Sequence, residues 1–231
     1  MKISQWLKLQ KEDLLKRFKT YSRIRVLFFF SLIFGFLVSL ISLWQKIFDF
    51  SLIKLDQKVQ DSLKMVSFPV LNSIFSFVTF LGSEIFIMVT SLILIAFLIQ
   101  KRRKRAATVT LISLVGSAIL ISFFKSFFGR ERPGECPNHL LGGNSSCFSF
   151  PSGHSTLAFY FYGLITYLII RFGLLPAKKT WFVVGGAAVL VVLIAFSRLY
   201  LGLHFLSDVI GGFLLGEVWL TMAIFLIDFL Y

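Results

Sequence analysis

Charge is scarce in this chain. Asp, Glu, Lys and Arg make up 15% of its 231 residues, while apolar residues make up 57%. A soluble domain carries about 25% charged residues and could not hide so much apolar surface. The chain is therefore an integral membrane protein, and its mean hydropathy of +0.83 agrees. Acidic residues are the rarer sign, 11 against 24 Lys and Arg, so the formal net charge is +13. That excess does not indicate nucleic-acid binding. No separate basic domain or exposed aromatic platform exists to support it. The basic residues lie between apolar runs, as the positive-inside rule requires. Histidine and cysteine are nearly absent, at three and two residues. They form no cluster with metal-ligand spacing, so neither a metal nor another cofactor is expected. Internal repeats, low-complexity tracts and soluble-domain boundaries are also missing. No small-residue cleavage site follows the first apolar run, so a cleaved signal peptide is not expected.

What the chain does have is apolar runs near the ~20 residues a bilayer core requires. The 29 Phe and 4 Trp suit lipid contact and bilayer interfaces. Residues 1–25 are basic, and Trp6, Leu7, Leu14, Leu15 and Phe18 recur at near-helical spacing. This predicts an amphipathic helix on the inner membrane surface. Residues 26–231 then form one membrane domain. Its six spans are predicted at Val26–Leu43, Pro69–Ile99, Ala106–Phe124, Ser155–Ile170, Trp181–Phe196 and Phe205–Phe229. The second is interrupted at Gly82-Ser83-Glu84. Outer loops are expected at about 44–68, 125–153 and 197–204. In the first of these, Leu52, Leu55, Val59 and Leu63 suggest an interfacial helix with an apolar stripe. With both termini cytoplasmic, 16 Lys/Arg fall inside and 8 outside. The bias supports an even number of crossings.

Three polar clusters then fall at the outer ends of spans. They are Lys125-Ser126-Phe127-Phe128-Gly129-Arg130-Glu131-Arg132-Pro133, Pro151-Ser152-Gly153-His154, and Ser197-Arg198 through His204 to Asp208. Lys125, Arg132 and Arg198 offer three cations from three segments. Arginine holds phosphate bidentately, and lysine acts as a point charge. Ser152 and Gly153 sit at a helix start, where backbone N–H groups and the positive dipole end favour an anion. His204 and Asp208, at i and i+4, share one helix face. Asp208 would engage one ring nitrogen and leave the other free.

These motifs, K-x6-RP, PSGH and SR-x5-H-x3-D, are each matched in order. The chain resembles the type 2 phosphatidic acid phosphatase family, which shares its site with vanadium haloperoxidases and bacterial acid phosphatases. The resemblance runs from about Asp56 to the C-terminus and includes Thr79-Phe80-Leu81-Gly82-Ser83. It implies an all-α, six-transmembrane bundle that removes phosphate from lipids without a metal. By that resemblance His204 is the nucleophile and forms a phosphohistidine, while Asp208 fixes its tautomer. His154 is the general acid and base. Lys125, Arg132, Ser152, Gly153 and Arg198 bind the phosphate.

Taken singly, these residues have simpler readings. Arg198 and Lys125 could snorkel, His154 could end a helix, and Pro151-Ser152 could merely start one. Their joint spacing favours the site. Arg130 and Glu131 are read as loop residues forming a local pair, and His139 as a loop residue. Glu217, mid-span, is costly there; it is either protonated or paired within the bundle, or near a lipid path. Cys136 and Cys147 both fall in the outer loop beside the site and are expected to pair, which the chain-entropy model values at ~3 kcal/mol.

The expected activity is hydrolysis of a lipid phosphate or diphosphate of the undecaprenyl diphosphate, phosphatidylglycerophosphate or phosphatidic acid type. The expected place is the outer face of a bacterial cytoplasmic membrane. The partners are the lipid substrate and the bilayer, with no nucleic acid and no obligate protein partner. Two alternatives stand: a lipid-to-lipid phosphotransferase of the lipid A type, and a non-catalytic lipid-phosphate binding or transport protein.

Overall fold

The computed structural model describes residues 52–134 and 147–230, together with scattered helical residues between Ser31 and Lys46. The predicted amphipathic segment 1–25 and most of the first span lie outside the described residues. So do His139 and Cys136. Cys147 is described and carries no free thiol.

Among the described residues beyond Lys46, seven helices follow one another: α1 Ile53–Met65, α2 Pro69–Phe80, α3 Glu84–Gln100, α4 Lys104–Phe128, α5 Gly153–Arg171, α6 Ala177–Tyr200 and α7 Leu206–Leu230. Among the described residues, five stretches are long and apolar enough to cross a bilayer. They correspond to the last five predicted spans. Lateral faces are apolar and exposed, as at Trp181, Phe182 and Val70. That pattern suits lipid and would be a liability in water.

Local chemistry sets the helix ends. Pro69 opens α2 at a position where its missing N–H is not needed. Ser83 caps α3 by accepting from the Phe86 N–H at 3.2 Å. The break between α2 and α3, at Leu81–Ser83, divides a 32-residue apolar stretch. Gly129 ends α4 in the left-handed conformation that glycine adopts freely.

Helix α5 is the centre of the bundle. Half of its apolar window is buried, against 22–33% in the other spans. Tyr160, Phe161, Leu164 and Leu168 form the inner core with Ile87, Leu98 and Ile121. Lipid supplies no hydrophobic drive between helices, so close packing must hold them. Along the α5–α7 seam, Gly212 provides that closeness. A Cβ there would lie 2.7 Å from the Ser152 carbonyl oxygen and 2.9 Å from Ser155 Cβ.

Two expected loops are shorter than predicted. Lys125 lies in the last turn of α4, and Ser197 and Arg198 lie in the last turns of α6. Beyond the predicted span ends at Phe124 and Phe196, no proline or glycine occurs before Gly129 or Gly202 to stop either helix sooner. The interfacial helix forms as α1, and its inner face mixes apolar and polar residues: Leu52 and Leu63 pack against the core, and Asp56 and Gln60 are buried beside them. Leu55 faces away and is 45% exposed. Hydrogen-bond partners, described below, hold the two polar side chains inside.

Candidate active site

All three polar clusters meet at one end of the bundle, the end of α4 opposite the Lys101–Arg105 turn. The chain after α4 returns to α5 through a tethered loop. The Ser149 N–H donates to the Arg130 carbonyl at 2.6 Å, and the Ser149 hydroxyl donates to the Glu131 carbonyl at 2.9 Å. Phe150 is fully buried and meets Phe128 edge-on. This anchors the Pro151–His154 segment over the first turn of α7. There the Ser152 N–H donates to the Asp208 carbonyl at 3.0 Å.

That last bond changes one expectation. The Ser152 amide is engaged by α7 and cannot also serve an anion. The Ser152 side chain accepts from the Ser155 hydroxyl instead. Helix geometry leaves the amides of Gly153, His154 and Ser155 without intrahelical acceptors, so these are the first-turn donors open to an anion.

His204 is buried in the turn between α6 and α7. Its Nδ1 faces Asp208 Oδ2 at 3.6 Å. Its Nε2 lies 3.4 Å from Arg132 Nη1. A guanidinium can only donate, so this arrangement places the Nε2 lone pair toward Arg132 and the ring proton toward Asp208. Burial, followed by the positive charges of Arg198, Arg132 and Lys125, pushes the His204 pKa well below its ordinary 6.5. The ring is thus neutral, as a nucleophile must be. Burial also lowers the Arg132 pKa, with Asp208 and Glu84 opposing it. His154 lies within electrostatic reach of His204, Arg198, Lys125 and Arg132.

Arg198 is 5% exposed and donates through Nη1 to the Thr79 hydroxyl at 2.9 Å. Its buried Nε–H has no hydrogen-bond partner among the described residues. A buried guanidinium with an unused donor is suited to a phosphate oxygen. The α2–α3 break supports the other wall. The Leu81 carbonyl accepts from the Tyr162 hydroxyl at 2.9 Å. A Cβ on Gly82 would sit 2.5 Å from Ile194 Cγ2 and 3.6 Å from His154 Cδ2. The break therefore fits closely against α5 and α6 beside His154.

A family model described as the PAP2 superfamily matches residues 106–229. The chain belongs to that superfamily. It is 32% identical to phosphatidylglycerophosphatase B of Bacillus subtilis over 70% of this chain and 77% of that one. It is 32% identical to an undecaprenyl-diphosphatase of Sulfolobus acidocaldarius over 65% of this chain and 68% of that one. The crystal structure of a transmembrane PAP2-type phosphatidylglycerolphosphate phosphatase from Bacillus subtilis superposes with a TM-score of 0.75 at 28% identity. That superposition covers 87% of this chain and 96% of the other. This PAP2 protein is a membrane phosphatase that acts on lipids.

The structure thus brings together Lys125, Arg132, Ser152, Gly153, His154, Arg198, His204 and Asp208. Sequence reasoning missed Asp56, Gln60, Thr79, Arg130 and Ser207 as parts of the site's frame. The local Arg130–Glu131 pair does not form. Arg130 instead bonds Asp208 and Asp56, at 2.6 and 2.8 Å. Buried carboxylates outcompete an exposed neighbour for the guanidinium. Glu217 is exposed on the outer side of α7, not buried in the bundle. Its i-spacing puts it opposite the packed face. One signal for α1 was present: Asp56 and Gln60 occupy the same helical stripe as Leu52, Val59 and Leu63.

Proposed function

We propose that this PAP2 phosphatase removes the terminal phosphate of a membrane lipid phosphate or diphosphate by way of a phosphohistidine at His204. The observation that carries this reading is the gathering of three cations from three segments, Lys125, Arg132 and Arg198, around the buried His204. In the first step Nε2 attacks phosphorus, and the lipid oxygen leaves. Lys125, Arg132 and Arg198 balance charge on the equatorial oxygens. The first-turn amides of α5 add donors. Asp208 stabilises the positive charge that develops on the ring. His154 protonates the leaving oxygen, then removes a proton from the water that hydrolyses the phosphohistidine. No step needs a metal or another cofactor.

The basic Lys101–Arg105 turn lies at the opposite end of α4 from the site. The positive-inside rule assigns that turn to the cytoplasm. The site then faces outward from a bacterial cytoplasmic membrane, with both termini inside. An oxidising exterior also suits a Cys136–Cys147 bond. Phosphatidylglycerophosphate and undecaprenyl diphosphate are the preferred substrate classes, because two relatives carry those activities in their names.

A phosphate-release panel in detergent tests this reading. It would compare phosphatidylglycerophosphate, undecaprenyl diphosphate and phosphatidic acid, each pure and without acceptor lipid. Release is expected, with His204→Ala and His154→Ala inactive but folded. Release only on adding a second lipid would indicate a phosphotransferase. Wild-type rates in His204→Ala would reject the mechanism.

A further inference from the structure

Helix α1 turns its polar residues inward, onto the back of the nucleophile. Gln60 Nε2 donates to the His204 carbonyl at 2.7 Å. Asp56 is 2% exposed and accepts from the Ser207 N–H at 3.0 Å and from the Ser207 hydroxyl. Arg130 then joins two carboxylates. Its Nη2 donates to Asp56 Oδ2 at 2.8 Å, and its Nη1 donates to Asp208 Oδ1 at 2.6 Å and to Ser207 Oγ at 2.6 Å. The guanidinium also stacks over the Phe205 ring, 4.4 Å from its centroid. Asp208 Oδ2 accepts the Phe205 N–H at 2.8 Å and faces His204 Nδ1.

We propose that Asp56 is a positioning residue for phosphoryl transfer: through Arg130 and Ser207 it holds Asp208 against His204 and keeps Asp208 from being neutralised. A lone Arg130–Asp208 pair would be bidentate, drawing both oxygens toward the arginine. Asp56 claims the second prong of the fork. Asp208 then keeps Oδ2 for the imidazole. Two carboxylates against one guanidinium also leave net negative charge behind the ring, where the phosphohistidine needs it. The polar stripe of α1 is thereby explained, and so is the departure of Arg130 from its neighbour Glu131.

This proposal rests on His204 being the nucleophile. The groups facing His204 are Lys125 from α4, His154 from α5, Arg198 from α6, Asp208 from α7 and Arg132 from the loop. Substituting Asp56 or Arg130 removes none of these groups from the chain. Steady-state kinetics on the full chain in detergent, with phosphatidylglycerophosphate, provide the test. Asp56→Asn is expected to lower kcat about 30-fold and to change KM less than about threefold. The acid limb of kcat/KM should move to lower pH in Asp56→Asn, which removes negative charge near the ring. It should move to higher pH in Arg130→Gln, which removes positive charge. A purely structural role gives no such opposition. Ser207→Ala keeps every charge and should lower kcat about fivefold with the limb unmoved; it decides alone if Asp56→Asn melts early. Wild-type kcat in either variant, or limbs that move the same way, would overturn the proposal. His204→Ala in the same series separates the two readings. Full activity there sinks the nucleophile itself, whereas an inactive His204→Ala beside a wild-type Asp56→Asn sinks only the positioning role.

Discussion

Gly212→Ala should weaken catalysis without touching a reacting group. The added Cβ would meet the Ser152 carbonyl oxygen at 2.7 Å, Ser155 Cβ at 2.9 Å and Ser152 Cβ at 3.4 Å. A comfortable carbon–oxygen contact is about 3.3 Å, so the seam must open by roughly 0.6 Å. The Ser152 oxygen is backbone and the wall is a helix start, so no flexible tip can swing aside. Opening moves the first turn of α5 away from α7. The Ser152 N–H to Asp208 bond, now 3.0 Å, would stretch. His154, two residues on, would shift relative to His204. A displacement near 1 Å can cost ~100-fold in rate, so about half that displacement should cost about tenfold. Overpacking removes ~1–3 kcal/mol, offset by up to ~1 kcal/mol from replacing a helical glycine. The assay is phosphate release and thermal melting in one detergent. Gly186→Ala, with nothing within 4 Å of the new Cβ, is the control and should match wild type. A Gly212→Ala protein with wild-type kcat and melting temperature would refute this account of the seam.

Thr79→Val removes the hydroxyl that accepts from Arg198. Freed from that restraint, Arg198 should hold phosphate less well, by about 1 kcal/mol, or ~5-fold in vanadate inhibition; unchanged inhibition would contradict it. His204 has a folded pKa below 6.5, so its neutral form is built into the fold. Its stabilising contribution is fully present above pH 6.5 and is lost as pH falls toward the folded value. Relative to His204→Gln, the wild type should therefore melt progressively earlier below about pH 6.5, and a difference constant with pH would argue against burial of a neutral ring. The Cys136–Cys147 bond should make the loop reductant-sensitive, with a stability loss of ~3 kcal/mol; two thiols alkylated without reductant would reject it.

The polar clusters that meet at one end of the bundle were legible because motif spacing is a property of the chain. Lys125, His154, Arg198, His204 and Asp208 stand at helix ends, and apolar runs reveal where those ends are. The break at Gly82 was legible because Gly82-Ser83-Glu84 interrupts an apolar run. What the sequence did not reveal is long-range. Arg130 has an acidic neighbour at Glu131, yet its partners are 74 and 78 residues away. Short-range spacing cannot anticipate such pairing. Asp56 and Gln60 were hidden for the opposite reason. Their apolar neighbours suggested an interfacial stripe, and only the docked turn at Leu203–Ser207 gives them partners. For Glu217 two readings were open, and its exposed position on α7 excludes the one that buried it within the bundle; helical phase over a uniformly apolar segment does not identify the packed face.

The most direct test of the mechanism is the covalent intermediate. Wild-type enzyme mixed with lipid substrate, quenched under alkaline conditions and digested, should yield a peptide phosphorylated on the imidazole of His204. The signal should be labile to acid and absent from His204→Ala. A phosphoryl group on His154 or on a serine, or turnover with no phosphoenzyme in a quench fast enough to sample a single cycle, would contradict the account.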